Sequence, residues 1–241
     1  MRPQDSSQPD RAPAGVPREI WRTEEFQRWY LAQLGAGNSL RAARLLWALG
    51  VGPESRPLIW VLSVAVFIAA ENRVKDNEVV ISRPDVSAVA LYRPGPTLDE
   101  SAVVLIREFR SPAATADGYV HELPSGSGVE RGERAQASAE LAEETGFSLD
   151  ADRLVSHGSR QSAATLSIHR VHLFSAKIDE AELARLVALQ QRAHGDGGGE
   201  ERTWVEVTTF GSIRRSRSVD WTTLGMLAQV LLADAERAER T

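Results

Sequence analysis

Apolar positions along this chain recur with two different periods, and the change from one to the other outlines the elements. From Arg18 to Gly35, the residues Ile20, Trp21, Phe26, Trp29, Tyr30 and Leu34 fall at helical spacing. Asn38–Leu49 reads as a second helix, capped by Asn38 or Ser39 and closed by Gly50. The apolar run Leu58–Ala70 is 13 residues long, short of the roughly 18 that a membrane helix needs. Its Ile, Val, Trp and Phe content predicts a strand in its first part, with Asn72–Asn77 as a polar turn and Glu78–Ile81 as the returning strand of a two-stranded ribbon.

Beyond Pro84, strand and helix patterns alternate. Val86–Tyr92 and Val103–Phe109 read as strands separated by the turn-rich segment RPGPTLDES. Glu133–Thr145 reads as a helix with Gly146 as its C-terminal stop. Arg153–Gly158, Ser167–Ala176 and Trp204–Thr208 are further strands. Glu180–Arg192 is an amphipathic helix carrying Leu183, Leu186, Val187 and Leu189, and Trp221–Ala238 is the closing helix. Ser212–Val219 is a basic connection, and Gly195–Glu201 is a Gly-rich acidic loop. No internal repeat is present.

The helix at Glu133–Thr145 changes the reading from fold to chemistry. At roughly 100° per residue, Glu140, Glu143 and Glu144 share about a third of its circumference. Leu141 lies off that arc as a core anchor, and Phe147 falls just past the helix end. Like charges at these spacings disfavour a helix unless something compensates them. A hard divalent cation does so, because it takes oxygen ligands and shares them with phosphates. A solvated acidic face is the plainer alternative.

The segment HELPSGSGVERGERAQASAELAEETGF, His121 to Phe147, resembles the Nudix box of the Nudix hydrolases. The second half of that pattern is matched from Glu140 through Phe147. The first half is matched loosely, with Gly126 and Glu133 at altered spacing, and Ala139 stands where the family has an arginine; Arg131 and Arg134 are the loop cations nearest to replace it. VVLIREFRSPA followed by GYVHELPSG resembles the strands preceding the box in ADP-ribose and nucleotide-sugar pyrophosphatases.

This resemblance implies an α/β fold, a Nudix-like α/β/α sandwich with a mixed sheet, over residues 57–241. A helical extension over 17–56 and a polar, Pro-rich disordered tail over 1–16 precede it. The resemblance also implies Mg²⁺ or Mn²⁺ held by Ser125, Glu140, Glu143 and Glu144, with Ser125 lending a backbone carbonyl. Catalytic carboxylates are expected at Glu143, Glu144 and, from the Gly-rich loop, Glu200 or Glu201. Substrate contacts are expected at Arg107, Phe109, Arg110 and Glu122. The expected reaction is hydrolysis of a pyrophosphate bond in a nucleoside diphosphate derivative such as ADP-ribose or a nucleotide sugar, in a homodimer. The alternative is a catalytically weakened domain that binds a nucleotide as a sensor or partner-binding module.

Composition narrows the remaining classes. A net charge of −5 argues against nucleic-acid binding through bulk positive charge. The absence of cysteine removes disulfides, thiolate nucleophiles and thiolate metal sites. The same absence makes a reducing cytoplasm the expected compartment. The five histidines show no HExxH spacing, and no G-x-S-x-G elbow marks a serine nucleophile. The RRSR at Arg214–Arg217 is too short to serve as a DNA-recognition helix.

Overall fold

The computed structural model describes residues 12–51, 56–128, 132–195 and 202–240. The chain divides into two compact units. One contains the residues up to Asp85 together with Gln161–Arg170, and the other contains Val86–Arg160 together with Val171 onward.

The first unit opens with α1 (Arg18–Trp21) and α2 (Glu24–Gly35). Thr23 caps α2 by accepting from the Phe26 N–H, which satisfies one of the donors left open at a helix start. Three antiparallel strands follow in the order β1 (Ser39–Val51), β2 (Arg56–Ile68) and β3 (Arg73–Ser82). Phe26 is the centre of the core, with its ring centroid 5.4 Å from Trp29, 5.7 Å from Trp21 and 5.9 Å from Trp60. Ile20, Leu62, Val64, Val80 and Ile168 close around it. Asp85 holds the Arg28 guanidinium at 2.8 Å and also accepts from the Arg170 N–H, so one carboxylate ties α2 to the 161–170 segment.

This unit differs from expectation in three respects. Residues 39–51 form a strand where a second helix was expected, so the helical extension ends at Gly35. The ribbon has three strands because β1 joins it, and its returning strand is longer than expected because the turn expected at Asn72–Asn77 is mostly β3, with Asn72 in the left-handed conformation that reverses the chain. Of the expected disordered tail, residues 12–16 are placed, with Val16 buried and the Ala43 N–H donating to the Ala14 carbonyl. Residues 1–11 lie outside the described residues.

The second unit is a mixed sheet. Its strands are β4 (Val86–Arg93), β5 (Ala102–Phe109), β6 (Tyr119–Glu122), β7 (Ser125–Gly126), β8 (Val155–Gln161), β9 (Arg170–Lys177), β10 (Ala193–His194) and β11 (Thr203–Thr209). The main path runs β10-β11-β5-β4-β9-β8, with β6 on β5 and β7 on β4. Its helices are α3 (Glu133–Thr145), α4 (Glu180–Leu189), α5 (Phe210–Arg215) and α6 (Trp221–Ala238). β4 runs parallel to β9 and antiparallel to β5 and β7.

Side-chain alternation distributes the core to both faces. Val89, Leu91, Val104 and Val205 pack with Ala137 and Leu141 of α3 and with Leu183 and Leu186 of α4. Ala88, Ala90, Val103 and Leu105 pack with Phe210 and Ile213 of α5 and with Leu227, Val230 and Leu231 of α6. The mixed α/β class is therefore as expected, with helices on both faces of the sheet. Within the expected basic connection, Phe210–Arg215 is a helix, and Arg214 pairs with Asp99 at 3.0 Å. Among the described residues, no helix is long and apolar enough to cross a membrane.

His169 makes the first unit sensitive to acid. Its ring nitrogens lie 2.6 Å from Ser167 Oγ and 3.0 Å from Ser162 Oγ, hydroxyls that satisfy a neutral imidazole. Burial first, and then the charge of Arg83, hold its pKa below the ordinary value. The unfolded chain therefore takes the proton more readily. The stabilisation from neutral His169 is complete above about pH 6.5 and is lost as the pH falls through the lower folded value. The urea midpoint should fall between about pH 7 and pH 5, and His169→Gln should flatten that slope. The residual slope belongs to His157, whose pKa burial also lowers.

Candidate functional site

The expected site is organised by α3 and the two-residue strand β7. No side chain caps the start of α3, whereas its end is sharply fixed: Gly146 adopts φ 70° and donates to the Ala142 carbonyl. A Cβ at Gly146 would come within 2.7 Å of the His194 ring, so the position excludes a side chain for a second reason. Leu141 is fully buried and Phe147 nearly so, as the periodicity predicts, and these two seat the helix on the sheet.

That seating gives the three glutamates different environments. Glu144 is only 3% exposed, and its Oε2 accepts the Ser125 N–H at 2.7 Å. The backbone carbonyl of the same residue accepts the Thr203 hydroxyl at 2.6 Å, so α3 is held to β7 and β11 at one point. Glu140, one turn earlier and half-buried, packs directly on Gly126, where a Cβ would stand 2.0 Å from its carboxyl carbon. The Gln136 amide donates to Glu140 Oε1. Glu143 is exposed, and its carbonyl accepts the Gly195 N–H at 3.1 Å.

Three of the four expected metal ligands, Ser125, Glu140 and Glu144, are thus brought together, and Glu143 stands outside that contact. Among the described residues, no group of three or more His, Asp or Glu side chains is arranged to hold a metal ion. The oxygen donors at this turn are the Glu140 and Glu144 carboxylates, the ligand type a hard divalent cation takes, while Ser125 meets Glu144 through its backbone N–H. The bare backbone of Gly126 leaves room for a carboxylate at the turn. Two carboxylates at this turn are compatible in ligand type with the expected metal. Glu200 and Glu201 lie outside the described residues, as does Arg131. Arg134, the other candidate to replace the box arginine, donates from its guanidinium to the Leu154 carbonyl at 2.8 Å.

The expected substrate-contact residues divide between the two faces of the sheet. Arg107 and Phe109 follow Val103 and Leu105 by alternation, on the face covered by α5 and α6 and opposite α3. There the Arg107 guanidinium lies 5.0 Å from the Tyr119 ring and 5.3 Å from the Trp204 ring, and Phe109 is 62% exposed. Glu122 pairs in the ladder with Ile106, which places it on the α3 face. Arg110 is bound at 2.7 Å to buried Glu108, which points to that same face.

The fold brings further groups into play. Gln136 is one helical turn before Glu140, a spacing legible in the sequence. Thr203, Tyr119 and Trp204 reach their partners only through the pairing of β5 with β11 and β6, which no local pattern announces. On the α5/α6 face, His121 stands between Glu206, 2.6 Å from Nδ1, and Asp117, 3.1 Å from Nε2. The Tyr119 N–H, and after it the His121 ring, hold the Asp117 carboxyl below the usual range.

No protein-family model matches the chain, and no curated protein matches it.

Gly126→Ala should drive the Glu140 carboxylate off the turn and cost about 1–3 kcal/mol, as overpacking does, read as a lower urea midpoint. Gly35→Ala, where an added Cβ meets nothing within 4 Å, is the control and should be neutral or stabilising.

Proposed function

We propose that this chain is a metal-dependent pyrophosphohydrolase of the Nudix type, with the α/β/α sandwich of that family. It would cleave a nucleoside diphosphate derivative such as ADP-ribose or a nucleotide sugar. The observation that carries this reading is the seating of Glu140 and Glu144 against the Ser125–Gly126 turn. A buried carboxylate is costly unless paired, and a second acidic group beside it adds repulsion. An arrangement that keeps both carboxylates at one turn offers the oxygen ligands that a hard divalent cation takes.

A bound Mg²⁺ or Mn²⁺ would neutralise charge on the phosphate oxygens and acidify the attacking water. Glu140, Glu144 and the Ser125 carbonyl are the donors proposed to hold it. Glu143, exposed one residue before Glu144, and the loop acids Glu200 and Glu201 are the proposed acceptors for the proton of water. Arg110 and Glu122, on the α3 face, are the proposed substrate contacts. Arg107 and Phe109 lie on the opposite face and are assigned no part in this site. The homodimer and the cytoplasmic location belong to the same reading.

A second reading keeps the nucleotide and drops the hydrolysis. It is favoured by Ala139 in place of the box arginine and by the outward placement of Glu143. The two readings separate in product analysis with Mg²⁺ or Mn²⁺ over ADP-ribose, nucleotide sugars, dinucleotides and nucleoside triphosphates. Hydrolysis is expected to depend on the metal and to fall in Glu144→Gln by at least the roughly 10–100-fold that loss of a supporting group costs in metal sites. Binding of a panel member without cleavage would instead establish the sensor.

A further inference from the structure

From the contacts around Glu140 we infer that Gln136 is a positioning residue for the metal site; this inference rests on the metal-dependent reading above. Gln136 and Glu140 are four apart on α3 and therefore neighbours on its surface. The Gln136 amide donates to Glu140 Oε1 and so supplies a hydrogen bond without adding a charge. Both side chains are half-buried, and each is seated on a glycine of the incoming chain. A Cβ at Gly126 would stand 2.0 Å from the Glu140 carboxyl carbon, and one at Gly128 would stand 2.3 Å from Gln136 Oε1. The glycines thus form a backbone wall on one side, and the amide fixes the carboxylate from the helix side.

The chemical consequence lies in the choice of donor. A guanidinium in this place would hold Glu140 by charge and compete with a cation for it. The amide holds the geometry and adds no positive charge of its own. Gln136 touches neither substrate nor reacting atoms in this scheme. It acts by limiting the orientations open to Glu140, as outer-shell partners of metal ligands do.

The test is Mn²⁺ titration of the full chain by calorimetry, alongside thermal unfolding followed by circular dichroism. Gln136→Met keeps length and helix preference and removes the N–H donor. Gly128→Ala pushes the amide away from the opposite side. Both should raise the Mn²⁺ dissociation constant by about tenfold or more, with Gln136→Met melting like the parent. Gln136→Glu, which sets a like charge against Glu140, should weaken Mn²⁺ binding further. With Mn²⁺ saturating, turnover of the preferred nucleotide by Gln136→Met should recover toward the parent value, because a positioning defect is offset by metal excess. Parent-like Mn²⁺ affinity in Gln136→Met would overturn the inference while leaving the metal site standing. Absence of Mn²⁺ binding by the parent protein would remove both the inference and the reading on which it rests.

Discussion

The arrangement depends on one buried contact, the Glu144 carboxylate accepting the Ser125 backbone N–H. A carboxylate this far from solvent needs a partner, and hydrogen bonds to charged groups contribute about 1.5–3 kcal/mol. The same residue offers its carbonyl to Thr203 from β11, so α3 is held at Glu144 by two different strands. With the rotation of α3 fixed there, and Leu141 fully buried in the core, the positions of its neighbours are no longer independent. Glu140 is set on Gly126 one turn back, and Glu143 is turned to solvent. The acidic helix is therefore built asymmetrically, with an inner pair of carboxylates and an outer one.

Asymmetry of this kind suits a division of labour between residues of one type. An inward carboxylate with a fixed partner is suited to holding a cation, and an outward one on the same helix is suited to taking a proton from water. The opposite face of the sheet has its own chemistry, with Arg107 between two aromatic rings and His121 between two carboxylates. Nothing in the proposed reaction draws on it.

How much of this was legible in the sequence depended on whether the signal was local. α3 and its stop at Gly146 were readable because helical period and the left-handed glycine are local properties. β4 and β5 were readable because both are buried and rich in branched residues. β1 was not, for two physical reasons. Register shifts at Leu40/Ala42, Leu45/Trp47 and Leu49/Gly50 break its two-residue alternation. Leu45, Leu46, Trp47 and Leu49 are also all at least 36% exposed, so the apolar positions mark no single buried face. What remained was a spacing close to that of a helix. At the site, the convergence of Ser125 with Glu140 and Glu144 was expected only through the family resemblance, since no local rule brings a turn onto a helix that begins several residues later. The separation of Arg107 and Phe109 from Glu122 follows from the pairing of β5 with β6, a register set by the fold.

The central claim is that the inner pair of glutamates and the Ser125 turn form a divalent-cation site. Anomalous diffraction from crystals of the protein grown with Mn²⁺ tests it most directly. A manganese peak within bonding distance of Glu140 and Glu144 carboxylate oxygens and the Ser125 carbonyl is the result expected. A peak elsewhere, or none at this turn with the Glu144–Ser125 hydrogen bond intact, would contradict the account.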